Sequence, residues 1–224
     1  APGSPAATGR SYLKPPAAQP LPSEAMDLDT LARVSAWMVL PLSALGAALP
    51  FLYDWTGPSR LAAYVSAVNE SYWEHIKIAF WPLFLYFLAA YLLGGRELPG
   101  FVPAATVALY AVPVTMVALV YGYKRATKRN VLWVDILAFL VTMALSMTVF
   151  VRLCRELAAS RPTNAIALAY LAVIVFAFAT YSLRPPADPD LFRDPLSQEY
   201  GLAAHRHEPE GSGGEVAGRG QRPG

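Results

Sequence analysis

The chain has 224 residues, of which 55% are hydrophobic and only 15% charged, and its mean hydropathy is +0.35. Soluble domains carry roughly 25% charged residues, so the composition groups this chain with membrane proteins. A net charge of +2 is too balanced for a nucleic-acid binder. The single cysteine, Cys154, excludes an internal disulfide and any cysteine-based metal centre within the chain, and reads as a small apolar filler.

In chain order, residues 1–28 read as a disordered extension. They are rich in Pro, Ala and Ser, and Pro15, Pro16, Pro20 and Pro22 break any helix. The stretch lacks the charged start, apolar middle and cleavage site of a signal peptide. Residues 29–184 form the expected transmembrane domain. A helix needs about 20 apolar residues to cross roughly 30 Å of hydrocarbon, and five segments meet that length: 31–52, 72–93, 102–123, 131–151 and 165–183. The first has Thr30 or Asp29 as its expected N-cap and ends at the Gly57-Pro58 turn, with Trp55 as an interface anchor. Pro82 marks a kink in the second. Pro113 lies near the middle of the third, where neighbouring helices can absorb the lost hydrogen bond. Residues 185–202 form a closing strap carrying Arg193 and Asp194. Residues 203–224 read as a solvated tail in which His205 and His207 are a weak chelator. The fold class is therefore all-α: an integral membrane bundle of about five transmembrane helices with disordered termini.

The basic run 124–129 assigns its loop to the cytoplasm by the positive-inside rule, which puts the amino terminus outside and the carboxyl tail inside. In either orientation, loop 53–71, loop 124–130 and the carboxyl tail share one membrane face. Asp54, the 69–75 patch, the basic run and Asp135 can meet there.

The densest polar patch in the domain, Asn69-Glu-Ser-Tyr-Trp-Glu-His-Ile-Lys77, sits at the mouth of the second span. Capping accounts for part of it. Ser71 and Glu74 fit a capping box, Tyr72 and Trp73 fit an aromatic belt, and Lys77 can pair with Glu74 or snorkel. Capping does not need Asn69, Glu70 or His75. Were the helix to begin near Arg60, then Ser66, Asn69, Glu70, Trp73, Glu74 and Lys77 would share one face, with His75 about 100° round from Glu74. A metal held by Glu70, Glu74 and His75 would then need a break at Ser71 or a ligand from another span. Asp135, one turn into the fourth span beside Trp133, is an interfacial acid at a helix start or a partner for Lys77, His75 or the basic loop.

The stretch Val68-Asn-Glu-Ser-Tyr-Trp-Glu-His75, preceded by Phe51-Leu-Tyr-Asp-Trp-Thr-Gly57, resembles an uncharacterised family of small prokaryotic integral membrane proteins. That family carries a Val-Asn-Glu-Ser-x-Trp-Glu-His signature just before a transmembrane helix. Its members are similar to this chain in Asp135 and in the closing Leu191-Phe-Arg-Asp-Pro195 to Tyr200-Gly201 segment. The resemblance covers 31–202 and implies no known activity. Relatives often carry a histidine at the position of Pro50, so a site needing that histidine would be altered here.

Three functional classes fit. In the first, Asn69, Glu70, Trp73, Glu74, His75, Lys77, Asp54 and Asp135 bind or move a cation, proton or small polar solute on the cytoplasmic face, as carboxylates at a broken helix suit. In the second, a non-catalytic scaffold or partner-binding subunit uses the signature only to cap a helix. In the third, a membrane metal hydrolase holds its ion on Glu70, Glu74 and His75. The first leads because Glu70 and His75 are superfluous to capping, and a non-enzyme is favoured. The expected partners are the lipid bilayer and a second copy of the chain, since five helices are few for a carrier; no nucleic acid is expected. A real site requires Glu70, Glu74, His75 and Asp135 to converge on one water-accessible pocket.

Overall fold

The computed structural model describes residues 27–56, 60–67, 69, 71–186, 190–194 and 198–200, without the side chains of Tyr53, Asp54, Arg60 and Leu61. Of the two termini expected to be disordered, residues 1–26 and 203–224, with His205 and His207, lie outside these residues, while Asp27 and Leu28 are described and open the first helix. Among the described residues seven α-helices follow in order: α1 Leu28–Thr56, α2 Arg60–Val65, α3 Tyr72–Leu92, α4 Phe101–Met116, α5 Gly122–Thr127, α6 Leu132–Glu156 and α7 Arg161–Leu183. A π-helical turn, Val117–Tyr121, joins α4 to α5 without a break, and short 3-10 turns sit at Gly95–Glu97 and Asp190–Phe192. Five of the resulting rods are long and apolar enough to cross a membrane: Leu28–Leu52, Tyr72–Leu92, Phe101–Thr127, Leu132–Glu156 and Arg161–Leu183. The all-α membrane bundle expected from composition is thus present.

Helix α4 holds the centre, packed against α3, α6 and α7, while α1 lies across α3 and α6. Small residues allow these approaches, as they must where lipid gives helices no hydrophobic reason to associate. Ala104 and Ala108 are fully buried, and Ser146 of α6 reaches the Ala108 carbonyl at 2.8 Å. Gly46 of α1 faces α3 and α6; a Cβ there would run into the Ile78 carbonyl and come within 2.9 Å of the Phe139 ring. Aromatic rings fill the remaining core, with Phe87 against Phe150 at 4.4 Å and Phe80 against Phe178 at 4.4 Å.

Helix ends are satisfied locally. The cap of α1 is Asp27, rather than Thr30 or Asp29. Its carboxylate accepts from the Asp29 and Thr30 amides at 2.9 and 2.8 Å and from the Thr30 hydroxyl at 2.7 Å. Three cap-type residues stand within four positions, and the one whose carboxylate reaches the amides of the next turn wins. Helix α7 starts on Ser160, which accepts from the Thr163 amide at 3.4 Å, with Pro162 at the tolerated first turn.

Helix α2 turns back into the bundle instead of lying at its edge. Ser66, just past its end, donates to the Leu49 carbonyl at 2.8 Å, seven residues before the last residue of α1. The Trp81 indole, nine residues into α3, donates to the Tyr64 carbonyl at 3.0 Å. Ser66, Ala67, Asn69 and Ser71 are non-helical, so no continuous helix links Arg60 to Leu92.

Two outcomes follow from this packing. Gly46→Ala is expected to lower stability by about 1–3 kcal/mol through overpacking, whereas Gly122→Ala, with open space around the added methyl, is expected to gain about 0.5–1 kcal/mol. Thermal unfolding of both variants in the same detergent checks the contrast. The Thr30 hydroxyl bond, then the Thr30 amide bond, hold the Asp27 carboxyl below its usual 3.8. The cap's contribution is therefore full above that value and is lost as pH falls through the lower folded-state value; the Thr30 amide resonance should report the first turn fraying only in that acid range.

Candidate functional site

The start of α3 is built by a relay of short bonds. Asn69 Oδ1 accepts from the Ser71 amide at 2.9 Å, an Asx turn. The Ser71 hydroxyl accepts from the Glu74 amide at 3.4 Å, the cap that the capping-box reading expected. Asn69 thus holds the Ser71 amide that the box assigns to Glu74, and the Glu74 carboxylate reaches Lys77. His75 Nδ1 lies 3.0 Å from the Ser71 carbonyl. A carbonyl oxygen only accepts, so this bond selects the imidazole form with its proton on Nδ1. Beyond this turn, the 100° step from Glu74 to His75 divides the polar patch in two.

Glu74 and Lys77 face α2 and α7. Lys77 Nζ lies 2.6 Å from Glu74 Oε2, with the two side chains 0% and 2% exposed. It also donates to the Ala63 carbonyl at 2.8 Å and the Ser182 hydroxyl at 2.9 Å. An ammonium has three donors, and here each has an acceptor. Trp73 lies on the same side, 4.7 Å from the Phe178 ring and 5.0 Å from Phe192 of the closing segment. The strap expected at 185–202 thus seats a buried aromatic against Trp73, and Arg193 pairs with Tyr200 in an isolated antiparallel bridge.

His75 and Tyr72 face the other way, into a cavity of about 630 Å³ between α1, α3, the α4–α5 rod and α6. Its inner walls are apolar, with Ala44 and Ala47 from α1, Ile78 from α3, Met116 from α4 and Phe139 and Leu140 from α6. Its outer end is polar: Tyr72, His75, Lys124, Asn130 and Asp135 line it. There Asp135 accepts from the Tyr123 hydroxyl at 2.7 Å and pairs with the Lys124 ammonium at 3.2 Å. Lys124 also stands 5.5 Å above the Tyr72 ring, a cation–π contact. The Tyr123 hydroxyl in turn accepts from the Val131 amide at 3.2 Å, which ties the start of α6 to the end of the third rod. Leu40, Leu132 and Ile136 stand on the rim and are 69%, 68% and 40% exposed, so the cavity opens sideways as well as at its polar end.

The eight sequence candidates therefore separate. His75 and Asp135 line one cavity. Glu74, Lys77 and Trp73 lie on the opposite side of α3, and Asn69 serves the turn. Glu70 and the Asp54 side chain lie outside the described residues. Among the described residues no three His, Cys, Asp or Glu side chains gather as metal ligands. Of the partners weighed for Asp135, the basic loop supplies the one found, Lys124. Sequence reasoning misses Tyr123 and Asn130; the one hint of them is their position on either side of a basic turn.

The buried pair has a measurable signature. Lys77→Met should destabilise the protein by about 3–5 kcal/mol, because it strands a buried carboxylate. Adding Glu74→Gln should restore most of that loss. Thermal unfolding of the single and double variants checks the order, and a double variant no more stable than Lys77→Met would remove the pair's role.

No curated protein and no solved structure matches the chain. A family model described as "Family of unknown function (DUF6512)" matches residues 26–202, which takes in all seven helices and the closing segment. The chain is a member of that family.

Proposed function

We propose that this protein binds a small membrane-borne amphiphile in the cavity beside His75. The supporting observation is the cavity's two-part lining, apolar along its length and polar at one end, combined with its sideways opening. A space of about 630 Å³ lies within the range of about 300–1,000 Å³ usual for small-molecule sites. The lining follows α6 from Leu132 to Leu140, about 12 Å of helix rise, and is apolar from Ile136 inward. One leaflet of hydrocarbon is about 15 Å deep, so a ligand lying in one leaflet can slide in with its head at His75 and Asp135. The basic run beside Lys124 supports a cytoplasmic mouth.

This narrows the expectation of a cation, proton or small polar solute. Lys124 already neutralises Asp135, and Lys77 already neutralises Glu74. Neither carboxylate is arranged to attract a further cation, so a solute with an apolar body has the better fit. A scaffold role would leave the cavity to ordinary lipid.

Lipid analysis of the full chain, purified in nanodiscs formed directly from membranes, tests the reading. Wild type is expected to retain close to one amphiphile per chain, and Ala47→Trp, which fills the inner wall, should lose it. Equal retention by both proteins would sink the proposal in favour of a scaffold.

A further inference from the structure

The geometry points to an anionic, phosphate-type head on the amphiphile that fills the cavity, an inference that rests on the binding role proposed above. Lys124, in the last turns of the third rod, and Asn130, in the loop that follows it, both line the cavity's polar end. The loop is therefore the lip of the mouth rather than a distant surface. Between Gly122 and Asp135 the chain carries Lys124, Arg125, Lys128 and Arg129 against the single carboxylate of Asp135, a surplus of three positive charges (four minus one). The Asp135 carboxylate is held by Lys124 and Tyr123 at 3.2 and 2.7 Å, so the pair supplies a fixed frame and the rest of the loop supplies the unbalanced charge.

The same lip is rich in donors. Tyr72, Asn130 and Lys124, each of which carries a side-chain donor, border one space, and phosphate oxygens are strong acceptors that shorten and strengthen bonds to charged donors. Basic residues near an anionic surface add to its attraction. A head bearing its own cation, such as choline, gains less because its ammonium meets the same surplus. The sideways opening past Leu40, Leu132 and Ile136 admits one chain of a two-chain lipid while the other stays in the bilayer. The same head chemistry is offered by free phosphate in water, and the test separates these sources.

Full-length protein is reconstituted in nanodiscs holding equal amounts of phosphatidylglycerol and phosphatidylcholine, then released for native mass spectrometry. The expected result is retention of phosphatidylglycerol over phosphatidylcholine by about tenfold. Lys124→Gln should cut that ratio several-fold, and Ala47→Trp (or Leu140→Trp, should the first fail to fold) should abolish retention of both. Inorganic phosphate added at millimolar levels should leave the lipid in place. If phosphate displaces it, the head chemistry stands and the source is the free anion. Equal retention of the two lipids, with loss on cavity filling, would overturn the anionic head yet leave amphiphile binding intact. Retained phosphatidylglycerol in the filled variants would mark simple adsorption around the rods and overturn the inference. No retention of either lipid by wild type would overturn both.

Discussion

The Glu74–Lys77 pair is the constraint on which the bundle depends. An ionised side chain inside a bilayer is tolerated only when protein groups replace its water. Lys77 meets that condition with a carboxylate, a backbone carbonyl and a hydroxyl, drawn from α3, α2 and α7. Remove any of the three elements and a donor is stranded. The short helix α2, too brief to be stable alone, is thereby anchored at its carboxyl end, with Trp81 taking the next carbonyl. The non-helical backbone at Ser66 and Ser71 is buried, as non-helical backbone at membrane depth must be.

Committing Glu74 to this tie leaves the neighbouring residue to face elsewhere. One step of 100° carries His75 to the cavity, where its backbone anchor at Ser71 fixes the ring. The patch that looks like one cluster in sequence is thus two devices back to back on a single helix. One is the structural Glu74–Lys77 tie. The other borders open space, where Tyr72 and His75 join Lys124, Asn130 and Asp135 at the cavity's polar end.

Much of this is legible in the order of the residues. The five spans are plain because apolar runs of about 20 residues match the thickness of a bilayer and exceed what a soluble core needs. The cap at Ser71 follows from spacing, and the Glu74–Lys77 pair is one of the two roles that spacing offers Lys77. The inward turn of α2 is not readable, since Leu61-Ala-Ala-Tyr-Val65 is too short for periodicity to locate. The cavity is also hidden. It lies between α1, α3, the third rod and α6, and how four helices cross is something no local pattern records. Spacing leaves Asp135 with three candidate partners because loop geometry, not composition, decides which cation arrives.

The wide turn at Val117–Tyr121 carries a last consequence. Its i→i+5 bonding accommodates one residue more than an α-turn, so everything after it is rephased by about 100° around the rod axis. That added rotation sets where Tyr123 and Lys124 point. The third rod is therefore two helical registers spliced end to end, and the splice aims its basic end at Asp135.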